Sequence, residues 1–269
     1  MAVFKAGTHE FILGKRTYIM GILNVTPDSF SDGGDWNSPS KALERALEIE
    51  RQGADIIDIG AQSTRPGYTQ ISAEEEINRL APILEILKGK LNIPISIDTF
   101  YPDVALEAVK YGISIINDVK GFQDEQMFKV LSNSDCGCII MHDGKSDDMK
   151  EFFELKLKLV DKYGISHERI CLDPGIGFGK SHEENLYVLG NLRRFKIDDI
   201  AMLVGASRKR VIGIPCSNPD FKDRMPGTIA AHTIAAINGA DIIRVHDVKE
   251  AVQASKVTDA IIEHMERNI

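Results

Sequence analysis

Residues able to do chemistry gather in short polar runs, each following an apolar stretch. The longest run begins at Met20 and reads M-G-I-L-N-V-T-P-D-S-F-S-D-G-G, presenting Asn24, Thr26, Asp28, Ser29, Ser31 and Asp32 in close order. Further along come Q-S-T-R-P-G (62–67), Asp98-Thr99, Asn117-Asp118, Met141-His142, D-P-G-I-G-F-G-K (173–180), G-A-S-R-K-R (205–210) and R-V-H-D (244–247). Asp98, Asn117 and Asp173 combine carboxylate acceptors with an amide donor. Such a set suits a flat heterocycle with a guanidine-like edge, because a carboxylate accepts paired N–H bonds. The alternative is a buried polar network satisfied by water. Arg65, Arg208, Lys209 and Arg244, with His246 beside them, are cationic donors suited to phosphate or another anion. Surface solvation is a credible alternative for Arg210. Asn24 with Asp28 or Asp32 offers hard oxygens for Mg2+, which takes few protein ligands alongside substrate phosphates. His142 is a lone histidine at the end of an apolar run and is given no catalytic role.

These runs need elements that bring them together. Residues 2–16 read as a small hairpin able to plug one end of a barrel. Strands are then expected at about 17–25, 55–60, 94–98, 114–118, 138–142, 170–173, 201–205 and 241–245. Their near-continuous apolar character fits strands buried on both faces, as in a parallel sheet. Helices alternate with them. Ser38 is a plausible N-cap with Pro39 at the first helical position, and Ser72-Ala-Glu-Glu75 has the capping-box pattern. Pro102 opens a third helix, and further helices run through Met127–Leu131, Phe152–Val160, Glu183–Leu192, Thr228–Asn238 and Val248–Met265. Eight strand-then-helix units without a linker predict a single-domain α/β protein over residues 1–269, a (β/α)8 TIM barrel with a short N-terminal β-hairpin. A doubly wound open sheet is the alternative. In a barrel, eight polar strand ends surround one mouth, a convergence that helix capping at Asp118 or Asp247 does not explain.

Composition narrows the partners. The chain has 269 residues, 43% of them hydrophobic, and a formal net charge of −8. That balance argues against nucleic acid or an anionic membrane as the main partner, while an anionic substrate needs a local basic site. No apolar run approaches the roughly 20 residues of a membrane span. M-A-V-F-K-A-G-T-H-E lacks a signal-peptide pattern. Cys136, Cys138, Cys171 and Cys216 have no zinc-site spacing and are expected as reduced thiols of a cytoplasmic protein. G-I-G-F-G-K-S (175–181) fails as a Walker A motif, because Pro174 stands where its first glycine belongs. Its glycines are expected to let the backbone turn tightly beside a ligand.

Taken together, N-V-T-P-D-S-F-S-D-G-G, D-I-G-A-Q-S-T-R-P-G, D-P-G-I-G-F-G-K, G-A-S-R-K-R and R-V-H-D-V resemble the dihydropteroate synthase family, in the same order and from about Thr17 onward. The resemblance implies a (β/α)8 barrel that joins 6-hydroxymethyl-7,8-dihydropterin pyrophosphate to 4-aminobenzoate with release of pyrophosphate. It implies that Asp98, Asn117, Asp173 and Lys209 hold the pterin, with Met141 near the ring. Thr64, Arg65, Arg244, His246 and Asn24 would handle the pyrophosphate, partly through Mg2+, which Asp28 and Asp32 would help organise. Thr64, Arg65, Pro66, Phe178, Lys209 and Arg210 would border the aminobenzoate. The family resemblance also implies a homodimer.

Three stretches depart from the family pattern. Ala61-Gln62 stands where the family usually has Gly-Glu, the segment D-G-K-S-D-D-M-K after His142 is short and different, and Arg210 stands where some members have Ser. Two rival readings are a methyltetrahydrofolate–corrinoid methyltransferase, which shares the fold and an Asp/Asn pterin pocket, and a non-catalytic pterin-binding protein. The first polar run and the basic set Arg65, Arg244 and His246 favour pyrophosphate chemistry over methyl transfer.

Overall fold

A computed structural model of the chain describes residues 2–26, 39–62 and 69–266. The chain opens with an antiparallel hairpin, β1 (Val3–Ala6) and β2 (His9–Ile12), turned at Gly7 with φ +59°. Eight parallel strands follow: β3 (Tyr18–Asn24), β4 (Ile56–Gly60), β5 (Ile95–Asp98), β6 (Ile115–Asp118), β7 (Gly137–Met141), β8 (Ile170–Asp173), β9 (Ala201–Val204) and β10 (Ile242–Val245). They pair in chain order, and β10 closes on β3. The closed barrel is therefore the architecture, and the open-sheet alternative is excluded.

The elements form for local reasons. Most barrel strands are buried at nearly every position, which matches their unbroken apolar runs. Among the described residues, the outer layer comprises α1 (Pro39–Arg51), α2 (Ala73–Leu87), α3 (Pro102–Lys110), α4 (Gln126–Ser132), α5 (Met149–Lys162), α6 (His182–Gly190), the short α7 (Arg210–Gly213), α8 (Met225–Ile237) and α9 (Val248–Glu266). Ser72 caps α2 by accepting from Glu75 N. Ser181, the last residue of the segment that mimics a Walker A motif, forms a reciprocal capping box with Glu184 at α6. Ser38, expected to cap α1, lies outside the described residues. The sequence pattern did not anticipate α7, because four residues show no period.

Strand alternation splits the apolar groups into two cores. Outward side chains such as Ile57, Ile59, Ile97 and Leu172 pack beneath the helices. Inward side chains Tyr18, Met20, Ile56, Ile115, Ile139, Cys171, Leu203 and Ile242 form a second cluster with Phe4, Ala6 and Phe11 of the hairpin. The hairpin thus plugs the amino-terminal end, as expected. Gly137 makes room for it: a Cβ there would lie 2.6 Å from the carbonyl oxygen of Lys5. With the lower barrel filled by these apolar side chains, the polar inward residues Asp58, Asp98 and Asn117 lie toward the carboxyl-terminal end.

Candidate active site

Strand register builds the mouth. Asn24 pairs in register with Gly60, Gly60 with Asp98, and Asp98 with Asn117, so one layer carries three predicted residues around a glycine. Met141 and Asp173 are paired across β7 and β8. Gly60 leaves a space that a Cβ would fill, 3.8 Å from Asp98 Oδ2 and 3.9 Å from Asn24 Oδ1.

One layer below sits a residue that the sequence reading missed. Asp58 is wholly buried, inside the barrel, with no exposed surface. Its Oδ2 accepts from Arg244 Nε at 2.6 Å and from Asn117 Nδ2 at 3.2 Å. Arg244 Nη2 donates to Asp98 Oδ2 at 2.9 Å. Asp58, Arg244, Asp98 and Asn117 therefore form one chain of charge-assisted bonds. The available signal was positional: Asp58 lies two residues before Gly60, so strand alternation puts it on the inward face. Arg244, expected to meet an anion, has two of its nitrogens on these carboxylates. Arg208 leaves the expected anion-binding set more fully. It adopts φ +59° and pairs with Asp247 through Nε, at 3.0 Å, and through Nη2.

Burial sets the electrostatics. Asp98 is raised to about 7 by burial, against the opposing pull of Arg244. Burial also raises Asp173, with Lys209 pulling it back, and Asp173 Oδ1 accepts from Gly175 N at 2.7 Å. Lys209 is lowered to about 8 by burial, with Asp173 opposing. Its Nζ donates to the carbonyl oxygen of Ile176 at 2.6 Å and lies 4.7 Å from the Phe178 ring centroid. The cation and the aromatic face thus form one wall. Ser207 Oγ lies 2.9 Å from His246 Nδ1, holding that ring at the rim. Arg210 is exposed at the start of α7.

The glycine-rich turn departs from the expectation at two of its three glycines, while the third, Gly177, faces the Lys209 side chain. Gly175, Gly177 and Gly179 all have positive φ. A methyl at Gly175 would strike His142 O, and one at Gly179 would come within 2.7 Å of Gly144 N. At those two positions the turn is tight against protein backbone, not beside an open ligand space. Lys180 clasps it, with Nζ near His142 O at 3.2 Å, Phe178 O at 3.3 Å and Gly175 O at 3.5 Å. His142 is buried and faces Asp148 through Nε2 at 2.9 Å, a structural role.

The predicted Asp28, Asp32, Thr64, Arg65 and Pro66 lie outside the described residues. Within the described ones, no three His, Cys, Asp or Glu side chains converge on a metal position. Asn24 nevertheless supplies a hard oxygen beside the space above Gly60, which fits magnesium, an ion that needs few protein ligands. Cys136, Cys138 and Cys171 are buried and Cys216 is exposed, all as free thiols. No helix among the described residues is long and apolar enough to cross a membrane.

Comparison with known proteins adds an independent observation. The family model described as "Pterin binding enzyme" matches residues 20–246. A relative from Clostridium beijerinckii, named dihydropteroate synthase, is 45% identical over 267 residues, covering 96% of this chain and 99% of that one. The crystal structure of dihydropteroate synthase from Clostridium difficile, in the presence of pteroic acid, superposes with a TM-score of 0.89 at 46% identity, covering 93% of this chain and 98% of that one. The Xanthomonas albilineans dihydropteroate synthase with 4-aminobenzoic acid gives a TM-score of 0.86 at 38% identity, covering 91% and 93%.

Proposed function

The chain belongs to the dihydropteroate synthases of the pterin-binding enzyme family, and we propose from that premise how its barrel mouth works. The enzyme is a transferase of folate biosynthesis. It condenses 6-hydroxymethyl-7,8-dihydropterin pyrophosphate with 4-aminobenzoate, giving 7,8-dihydropteroate and pyrophosphate. The observation that carries the reading is the bonded chain Asn117–Asp58–Arg244–Asp98, with Asp173 and Lys209 at the same mouth.

Asp98, Asn117 and Asp173 accept from and donate to the polar edge of the pterin, Lys209 donates beside them, and Met141 packs near the ring. Asp58 orients Arg244 and Asn117. Because Arg244 holds Asp98 in place, it couples the pterin pocket to the side where the pyrophosphate leaves. His246, steadied by Ser207, stands with it there. The leaving pyrophosphate is attached to an allylic-type carbon on an electron-rich dihydropterin, so C–O cleavage can run ahead of attack. The protein then has to hold a cationic pterin, a role for Asp98, and to neutralise departing charge, a role for Arg65, Arg244 and His246. Asn24, with Asp28 and Asp32, would hold Mg2+, which supplies electrostatic neutralisation of pyrophosphate oxygens. Thr64, Arg65, Pro66, Phe178, Lys209 and Arg210 border the aminobenzoate. An arylamine is nucleophilic while neutral, so no general base is assigned.

The proposed assembly is a homodimer in the cytoplasm. Helices α8 and α9 pack together and expose Ile234, Ile237, Val257, Ile261 and Met265, an apolar surface suited to a second copy. Sedimentation of the wild type against Ile261→Asp tests it; a wild-type monomer contradicts it.

The central test is pyrophosphate release from the dihydropterin pyrophosphate, with and without 4-aminobenzoate and Mg2+. Release that requires the arylamine and yields dihydropteroate supports the reading. Pterin binding without turnover contradicts it.

A further inference from the structure

Helix α8 turns two polar side chains inward. Thr228 and His232, four positions apart and so on one face of the helix, are both buried. Both bind the turn that follows β9. His232 Nε2 accepts from Ala206 N at 3.1 Å. Thr228 Oγ1 accepts from Arg208 N at 3.0 Å and donates to Arg224 O at 2.9 Å. Arg224 Nη1 in turn donates to Arg208 O at 3.2 Å, and Lys209 N closes the turn on Ala206 O at 3.2 Å. Two side chains of the mouth leave this turn. Ser207 Oγ lies against the His246 ring and accepts from His246 N at 3.2 Å. Lys209 reaches Ile176 O and the Phe178 ring.

We propose that His232 is a positioning residue for the reaction: as a buried acceptor on α8, it fixes the turn that aims Lys209 into the mouth and holds His246 at the rim. The inference rests on the synthase reading above. A neutral imidazole whose Nε2 accepts carries its proton on Nδ1. That Nδ1 is buried and has no hydrogen-bond partner among the described residues. A buried, unpaired donor costs stability, so packing alone does not account for a histidine at this position. An aliphatic side chain would fill the space without that cost. What the histidine supplies is the acceptor for Ala206 N. Burial, and then the charge of Lys209, hold the ring down to about 3, so the acceptor persists through the neutral and alkaline range. The turn in return governs Lys209. Burial lowers its ammonium to about 8; Asp173 from β8 and Asp98 from β5 oppose this, while Arg244 from β10 and Lys180 from the turn after β8 add to it. A loosened turn lets Nζ exchange Ile176 O for water, and the amine then returns toward its free value of 10.5.

The test compares the full-length wild type with His232→Leu and His232→Gln. Leucine removes the acceptor, whereas glutamine places Oε1 as many bonds from the backbone as Nε2 of the histidine. The Lys209 amine is titrated without substrate, from its acylation rate read by mass spectrometry between about pH 7 and about pH 11. Wild type is expected to show a midpoint at about 8. In His232→Leu the midpoint should rise by at least about one pH unit, and in His232→Gln it should return to the wild-type value. Calorimetric affinity for the pterin should weaken about fivefold in His232→Leu, the worth of one hydrogen bond, and recover in His232→Gln. Thermal unfolding separates positioning from plain stability. Leucine exchanges one unpaired donor, Nδ1, for another, Ala206 N, so the melting temperature should stay within about 3 °C of wild type. An unmoved Lys209 midpoint, an unmoved pterin affinity, a loss that glutamine does not recover, or a large fall in melting temperature would each overturn the proposal. Thr228→Val is the second variant, used if leucine at 232 prevents folding. It removes the acceptor for Arg208 N at nearly constant shape and should move the Lys209 midpoint the same way; no movement overturns the anchor. Absence of turnover in the wild type would instead overturn the proposed function, while the substrate-free titration still decides the anchor.

Discussion

Arg244 and Asp58, 186 positions apart in the chain, meet inside the barrel through a 2.6 Å bond from Nε to Oδ2. Asp58 has no contact with solvent, and its other oxygen, Oδ1, has no hydrogen-bond partner among the described residues. The carboxylate is there to hold a cation and an amide in place. Asp58→Ala leaves the buried Arg244 with Asp98 as its remaining carboxylate and should destabilise the fold by about 1–3 kcal/mol. Asp58→Asn keeps the shape and should cost less. Denaturant unfolding measures both, and equal stabilities for Asp58→Ala and wild type would contradict the role.

Asp98 ends β5 beside the space above Gly60. Asp98→Ala is expected to abolish measurable pterin binding, a loss of at least about 3 kcal/mol for a buried charge-assisted contact. Calorimetry with the bare pterin checks this directly. Retained affinity removes Asp98 from the pterin site.

Pterin affinity should have a maximum in pH. As pH falls through about 7, Asp98 loses its carboxylate; as pH rises through about 8, Lys209 loses its ammonium. Affinity then declines on both sides, and Lys209→Met flattens only the alkaline limb. The stability signs are separate. Lys209 is held below its free value of 10.5, so its charged form costs stability below about 8, relieved as pH rises toward 10.5. Asp98 is held above its free value of 3.8, so its charged form costs stability above about 7, relieved as pH falls toward 3.8. Calorimetric titrations across the range check the binding profile, and a flat profile rejects it.

The turn at 175–180 tests backbone packing. Gly175 has φ +65° and its missing Cβ faces His142 O, so Gly175→Ala should destabilise by more than about 2 kcal/mol. Lys180→Met removes the clasp on three carbonyl oxygens and should cost about 1–3 kcal/mol. Thermal melts distinguish these losses from a purely functional effect: a variant that loses activity at an unchanged melting temperature refutes the structural role.

Much of this was legible in the order of residues. Unbroken apolar runs marked strands buried on both faces, Ser72 and Pro102 marked helix starts, and polar groups at successive strand ends marked one mouth. These are local signals, because period, caps and turns act over a few residues. The short α7 and the capping box at Ser181 escaped, the first for lack of a period and the second because its segment mimicked a phosphate loop. What only the folded barrel decided is who pairs with whom. Closure and register bring Asp58 to Arg244 and Gln62 to Glu76, and they turn Arg208 away toward Asp247. A charge in a sequence has a sign but no neighbour; in a closed barrel, burial removes water as its partner, and only another group of the protein, side chain or backbone, can take that place.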